Sequence, residues 1–91
     1  MFSVIHHDRS AGRFDTRVEG FECVLDYTLA SGVMTITHTA VPAAVGGRGI
    51  ASGLMQAAMD AARAEHWKVS PDCSYAGAWL KRHAAYHDMR I

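Results

Sequence analysis

The glycine cluster Gly46-Gly47-Arg48-Gly49 has the residue types and spacing to bind an anion. It follows Pro42, which ends a predicted strand because proline cannot donate to a sheet ladder, and it precedes a predicted long helix. Glycine lets the backbone approach a ligand closely and take positive φ angles. The first N–H groups of a helix have no partner within the helix, and the helix dipole adds about half a positive charge there. The spacing therefore indicates a pyrophosphate site, although a simple turn at the start of a helix has the same composition.

This loop differs from the two best-known phosphate-binding loops. It lacks the Gly-Lys-Ser/Thr ending of a nucleoside-triphosphate P-loop. It also lacks the Gly-x-Gly-x-x-Gly arrangement of dinucleotide-binding proteins, with its acidic residue on a following strand. The loop alone therefore predicts an anion site but not a nucleotide class.

Composition limits the class of protein to which the chain can belong. Its 91 residues predict one domain, residues 1–91, and nine basic residues balance nine acidic ones. A neutral chain without a basic run argues against a nucleic-acid partner, because such binding depends on neutralising phosphates. No apolar run approaches the roughly 18 residues that span a bilayer, so we expect no membrane partner. Cys23 and Cys73 have neither a disulfide framework nor zinc-type spacing, which predicts a cytoplasmic protein without a metal site.

Three predicted strands precede the glycine loop and must position it. Residues 13–18, 21–29 and 33–41 alternate apolar and polar side chains with a period of two, which is typical of half-buried strands. Short turns at Glu19-Gly20 and Ala30-Ser31-Gly32 connect these segments. Consecutive strands on short turns predict a three-stranded antiparallel meander.

The second half of the chain is predicted to be mainly helical. A long amphipathic helix is expected over residues 48–66, because apolar residues recur at helical spacing: Ala51, Leu54, Met55, Ala58, Met59 and Ala62. A short fourth strand is predicted at 67–69 and is expected to stop at Ser70-Pro71. A helix over 74–83 and a last short helix over 84–89 complete an α+β domain with a mixed sheet.

Three stretches of the chain together resemble the small single-domain branch, often called YjdJ-type, of the GCN5-related N-acetyltransferase superfamily. They are residues 36–42 (Ile-Thr-His-Thr-Ala-Val-Pro), 46–51 (Gly-Gly-Arg-Gly-Ile-Ala) and 71–75 (Pro-Asp-Cys-Ser-Tyr). The resemblance runs from about Phe14 to Met89 and matches that branch in order, separation and content. It implies a compact fold of this type, in which the fourth strand splays away from the third. It also implies an enzyme that uses acetyl-CoA.

The resemblance assigns the cofactor-binding residues. The superfamily loop reads Arg/Gln-x-x-Gly-x-Gly/Ala, and Gly49 and Ala51 match its last two defined positions, whereas Gly46 stands where Arg or Gln is usual. The resemblance places backbone N–H groups around the pyrophosphate and Val41 beside the pantetheine arm. The predicted coenzyme A contacts are Val41, Gly46, Gly47, Arg48, Gly49, Ile50, Ala51, Ser74 and Tyr75.

The resemblance also places Cys73 near the acetyl thioester. As a thiolate, Cys73 could accept the acetyl group and pass it to an amine, and as a thiol it could protonate the departing CoA sulfur. The N-terminus of the helix predicted at 74–83 would stabilise its thiolate. His38 is expected on the strand face that carries Met34, Ile36 and Ala40, from which it could remove a proton from the ammonium group or from Cys73. A small buried cysteine and a structural histidine are the alternatives.

The predicted function is therefore acetyl transfer from acetyl-CoA to a primary amine, a small molecule or a protein whose identity the sequence does not specify. A non-enzymatic module that binds CoA or acyl-CoA is the alternative. It is favoured by the side chains missing at Gly46 and at Ala40, where the branch commonly has Glu. A third possibility is a small interaction domain in which the glycine loop is only a turn. The sequence does not indicate an oligomeric state.

Overall fold

Five strands form one mixed sheet in the order β1-β2-β3-β4-β5 in a computed structural model that describes residues 4–91. The strands are β1 (His6–Asp8), β2 (Arg13–Val18), β3 (Phe21–Ala30), β4 (Val33–Ala40) and β5 (Lys68–Pro71). Neighbours among the first four are antiparallel, and β5 pairs with β4 in parallel. Residues 1–3 of the predicted domain lie outside the described part.

Two-residue turns join β2 to β3 and β3 to β4. The central residues of both turns have positive φ: 51° at Glu19 and 83° at Gly20, then 51° at Ser31 and 74° at Gly32. Positive φ at both central positions is the requirement of a type I′ turn, whose twist matches that of the paired strands. The antiparallel meander predicted from the sequence is confirmed.

Two α-helices follow, α1 (Ile50–Ala64) and α2 (Ser74–Arg82), with short 3₁₀ helices at Ala43–Val45 and Ala84–Met89. The predicted long helix is confirmed, although it is shorter at both ends than 48–66. Its apolar stripe is buried, and Met55 and Met59 have no exposed surface. α1 packs on β2, β3 and β4, while α2 packs on β4 and β5. The α+β class is therefore also confirmed.

The sequence-based account differs from the structure in two strands. Sequence analysis missed β1, because its three residues are all polar and too few for a period of two to stand out. The last strand runs over Lys68–Pro71 and not over 67–69. Pro71 is tolerated at its end because the backbone N–H groups of Asp72 and Cys73, the two residues that follow, both donate to Ile36 O.

A β-bulge divides β4 into two halves. Ile36 pairs with Tyr27, and His38 pairs with Asp26, which leaves Thr37 as an extra residue on β4. Directly paired residues project to the same side of a sheet. The core face of β4 therefore carries Met34 and Ile36 before the bulge but Thr39, the partner of Leu25, after it.

β4 and β5 separate immediately after this point. Their parallel pairing begins at Val33 with Lys68 and ends at Ile36 with Pro71. Within residues 4–91, the remaining stretch of β4, from Thr37 to Ala40, pairs with β3 on one side and with no strand on the other. The chain of β5 instead turns into α2. The predicted splay between these two strands is confirmed.

Candidate functional site

The glycine loop has the backbone geometry of an anion-binding turn. Gly47 has φ of 75°, and Gly49 has φ of 76° and ψ of 14° as the residue that precedes the first turn of α1. Both are left-handed conformations in which a Cβ atom is strained. The residues 46–49 are exposed, whereas Val45 before them and Ile50 after them are buried and anchor the loop.

The backbone N–H groups of residues 47–52 are available to a ligand. Among the hydrogen bonds of residues 4–91, the first that α1 makes is from Gly53 N to Gly49 O, at 3.0 Å, and no N–H of 47–52 donates to a protein acceptor. A helix N-terminus with unpaired N–H groups attracts phosphate. This segment, which contains the predicted contacts Gly47, Arg48, Gly49, Ile50 and Ala51, therefore fits the pyrophosphate of coenzyme A.

The side chain of Arg48 is held by an ion pair and does not extend freely into solvent. Its guanidinium donates to both carboxylate oxygens of Glu19, at 2.6 and 3.4 Å, across to the turn between β2 and β3. Hydrogen bonding and charge from Arg48 lower the pKa of Glu19 below its ordinary value. Both side chains are exposed, so solvent screens the pair. Arg48 is next to the anion site but is held by an acidic residue.

Cys73 lies where β5 gives way to α2, and its backbone and thiol are both fixed. Cys73 N donates to Ile36 O at 3.1 Å, at the last pair of the parallel ladder. Its Sγ accepts from Ala76 N at 3.4 Å, so the side chain caps the N-terminus of α2. The N–H groups of a helix N-terminus stabilise a thiolate. Cys73 is half-buried, whereas the other cysteine, Cys23, is fully buried and has its thiol pKa raised by burial.

Thr39 is the side chain of β4 that faces Cys73, and sequence reasoning did not identify it. Its Oγ1 lies 3.5 Å from Cys73 Sγ, and either atom can be the donor. Simple alternation along the strand places Thr39 on the outer face, because it is an odd number of residues from Ile36. Only the bulge at Thr37 moves it to the core face.

The predicted position of His38 on the face of Met34 and Ile36 is wrong, because the bulge turns it to the opposite face. There it pairs with Asp26 and is exposed. Arg17 and Glu22 on the same face are also exposed, so this face of the sheet is open to solvent. His38 and Cys73 therefore lie on different sides of β4. The catalytic role predicted for each stays a prediction.

The remaining predicted contacts surround the opening between β4 and β5. Val41 packs against the core just after the free edge of β4, Ser74 is the exposed first residue of α2, and Tyr75 is half-buried. Burial raises the pKa of the Tyr75 hydroxyl. A residue that was not predicted, Ser52, accepts a hydrogen bond from the indole of Trp79 at 2.8 Å and joins the start of α1 to α2.

Two clefts lie away from this opening. One of about 350 Å³ is lined by Arg9, Gly12, Tyr27 and Trp67 among others, and one of about 290 Å³ lies beside Arg63 and Asp88. Within the described chain, no three His, Cys, Asp or Glu side chains are grouped to hold a metal ion. None of the helices in residues 4–91 has the length and apolar character needed to cross a membrane.

Comparison with known proteins identifies related sequences. A family model described as GCN5-related N-acetyl-transferase matches residues 13–89. Protein NATD1 of Xenopus tropicalis is 36% identical over 80 residues, which cover 85% of this chain and 73% of that protein. Protein NATD1 of Mus musculus is 35% identical with the same coverage, and that of Homo sapiens is 35% identical over 85% of this chain and 71% of that protein.

A solved structure supports the fold. The NMR solution structure of a GCN5-like protein from Staphylococcus aureus superposes with a TM-score of 0.78. The match covers 97% of this chain and 87% of that chain, at 24% sequence identity. At this identity the similarity concerns the fold alone.

Proposed function

The chain belongs to the GCN5-related N-acetyltransferase family, and from this premise we propose that it moves an acetyl group from acetyl-CoA to a primary amine. The observation that carries the proposal is the position of Cys73. It caps α2 at the point where β4 and β5 separate, and Thr39 on the free part of β4 faces it. Bound acetyl-CoA would supply an activated acetyl group as a thioester.

Backbone groups of the chain support the binding part of this proposal. The free N–H groups of 47–52 would hold the pyrophosphate, with Gly46 leaving space at the loop entrance. The unpaired edge of β4 after Thr37, with Val41 at its end, would accompany the pantetheine arm. Ser74 and Tyr75 would border its thioester end. We propose that all of these groups contact one bound molecule of acetyl-CoA.

For the chemistry, we propose that Cys73 acts as a nucleophile. Its thiolate, stabilised by Ala76 N–H, would attack the acetyl carbon, so that a new C–S bond forms and the bond to the CoA sulfur breaks. The departing CoA thiolate would take up a proton from solvent. A neutral amine would then attack the acetyl-cysteine, its nitrogen would lose one proton to solvent, and the Cys73 thiolate would be released.

His38 would serve the amine and not the thiol. It is exposed on the open face of the sheet, as are Arg17 and Glu22. From that face its imidazole would take the proton that the ammonium group must lose before attack. An acceptor site on this exposed face would suit a broad range of amines, including a peptide or protein amine.

Native mass spectrometry of the protein with acetyl-CoA, followed by a denatured spectrum, tests this function. We expect a cofactor adduct under native conditions and one acetyl group on Cys73 after denaturation. An adduct without acetylation, together with turnover of an amine, would instead indicate direct transfer. No adduct at concentrations well above micromolar would overturn the assignment.

Variants separate an enzyme from the alternative, a module that only binds CoA. We expect Cys73→Ala to abolish amine acetylation and His38→Gln to lower kcat by about 10²–10⁴-fold, the range typical of a lost general base. Both variants should still be stabilised by CoA, by about 2.7 kcal/mol at a hundred times the dissociation constant. CoA binding without any turnover in the unmodified protein would favour the binding module.

A further inference from the structure

We propose that Thr39 is the residue that orients the Cys73 thiol for attack. The proposal rests on the nucleophilic role proposed above for Cys73. Thr39 Oγ1 is 3.5 Å from Cys73 Sγ, and both side chains are half-buried at the opening between β4 and β5. Thr39 contacts the sulfur that would attack, and through this contact it would position that sulfur.

Several groups form hydrogen bonds with Cys73. Within residues 4–91, Thr39 is the only one of these partners that contributes a side chain. The other partners are backbone groups: Ile36 O accepts from Cys73 N at 3.1 Å, Gly77 N donates to Cys73 O at 3.1 Å, and Ala76 N donates to Sγ at 3.4 Å. These contacts fix the backbone and one direction of the sulfur. The hydroxyl of Thr39 fixes a second direction from across the opening.

The hydroxyl suits both protonation states of the sulfur. Beside a thiol it can accept the S–H, and beside a thiolate it rotates about its C–O bond and donates its own hydrogen. A hydrogen bond to the charged form is the stronger of the two. Thr39 therefore keeps the sulfur of Cys73 aimed in either protonation state, while its own proton stays on Oγ1 throughout.

The bulge in β4 is what gives Thr39 this position. Without the bulge, Thr37 would alternate regularly after Ile36, so that His38 would continue the face that carries Ile36 and Thr39 would project to solvent. Bulges re-aim side chains next to active sites in many proteins. In this chain the bulge sends a hydroxyl to the thiol and an imidazole to the open face.

The rate of alkylation of Cys73 by iodoacetamide tests the proposal without acetyl-CoA. Peptide mapping distinguishes Cys73 from Cys23, which is fully buried. At pH 7 we expect Thr39→Val to slow alkylation of Cys73 by about three- to tenfold, since a hydrogen bond to a charged group is lost. Thr39→Ser, which keeps the hydroxyl, should remain within about twofold of the unmodified protein.

Thr35→Val is the matched control, because Thr35 lies on the same strand but pairs with Thr28 on the outer face. It should leave the alkylation rate of Cys73 unchanged. If Thr39→Val does not fold, as judged by its thermal transition, Thr39→Ala replaces it in the comparison with Thr39→Ser. Equal rates in the valine and unmodified proteins, or equal slowing by valine and serine, would overturn the proposal.

The alkylation experiment and the test of the proposed acetyltransferase function can fail separately. If acetyl-CoA fails to bind but Thr39→Val still slows alkylation and Thr39→Ser does not, the acetyltransferase assignment fails while the positioning role stands. If acetyl-Cys73 forms equally fast in the Thr39→Val and unmodified proteins, the positioning role fails while the enzyme assignment stands.

Discussion

The two ends of the sheet differ in how completely their backbone N–H and C=O groups are paired by hydrogen bonds. At the closed end, where β5 begins beside Val33, β4 pairs on both sides and Met34 has no exposed surface. At the open end, beyond the bulge, β4 pairs on one side only, and the nearby N–H groups of 47–52 have no acceptor within residues 4–91.

This difference separates the part of the molecule that holds the fold from the part available for chemistry. Buried backbone groups are normally paired, so unpaired ones must face solvent or a ligand. In a domain of this size, the buried surface is limited and the stability margin is small. The N–H groups of 47–52, which have no acceptor within residues 4–91, are therefore left to solvent or to a ligand.

The largest expected effect is a difference in the free energy of unfolding between substitutions at the two ends of β4. Met34→Ala should lower the free energy of unfolding by about 2–5 kcal/mol, because it removes buried volume from a closed core. Thr39→Ala should cost less than about 1 kcal/mol, since its side chain is half-buried at the opening. Urea denaturation measures both. Equal losses would show that the open end also supports the fold.

The next effect concerns the glycine loop. Gly49→Ala should cost about 1–2 kcal/mol because an alanine at φ of 76° is strained, and it should also weaken CoA binding. Gly46→Ala is the control, since φ there is −67° and a Cβ would lie 3.4 Å from Ala43 O. We expect the control to stay within about 0.5 kcal/mol of the unmodified protein. Denaturation and calorimetric titration with CoA test this, and a silent Gly49→Ala would contradict it.

A smaller effect is expected from the ion pair beside the loop. Glu19→Gln should release Arg48 and remove a negative charge near the phosphate site, raising CoA affinity about two- to fivefold at low salt. The gain should shrink at high salt, because solvent-exposed charges are screened. Titrations at two ionic strengths decide this. A gain that persists in high salt, or a loss of affinity, would contradict the proposed competition for Arg48.

The smallest effect is a pH dependence that arises at the edge strand β1. His7 stacks on Phe14 and hydrogen-bonds Tyr27 Oη at 2.7 Å, and burial, followed by the charge of Arg9, lowers its pKa below the ordinary 6.5. The unfolded chain then binds the proton more readily, so stability falls as the pH drops below about 6.5. When the pH is lowered from 7 to 5, the Tm of the His7→Gln variant should fall by roughly 1–3 °C less than the Tm of the unmodified protein.

Other groups near His7 also carry charge, so a second variant is needed for comparison. His6, Asp8 and Glu65 contribute to its surroundings as well. His6→Gln should retain the pH dependence, because His6 is exposed and its ion-pair partner Asp15, at 3.5 Å, is a different residue from the partners of His7. If the pH dependence of Tm is the same in His7→Gln as in the unmodified protein, a group other than His7 causes it.

The order of the elements could be predicted from the amino-acid sequence, because it depends on short-range periodicity. A period of two marked β2, β3 and most of β4, and helical spacing marked the buried stripe of α1. The glycine loop and Pro42 marked the start of that helix. These signals act over a few residues and do not require knowledge of distant partners.

Only the tertiary structure decided which side chain faces Cys73. A bulge is defined by the pairing of two strands, and the residues Thr37-His38-Thr39 show no local sign of it. Alternation therefore favoured His38, whereas the register with β3 selects Thr39. The short strand β1 and the ion pair of Arg48 with Glu19 are likewise set by contacts between distant segments. The sequence determined which elements form. Long-range pairing decided where their side chains point, because a shift of one residue in register reverses the face of every residue after it.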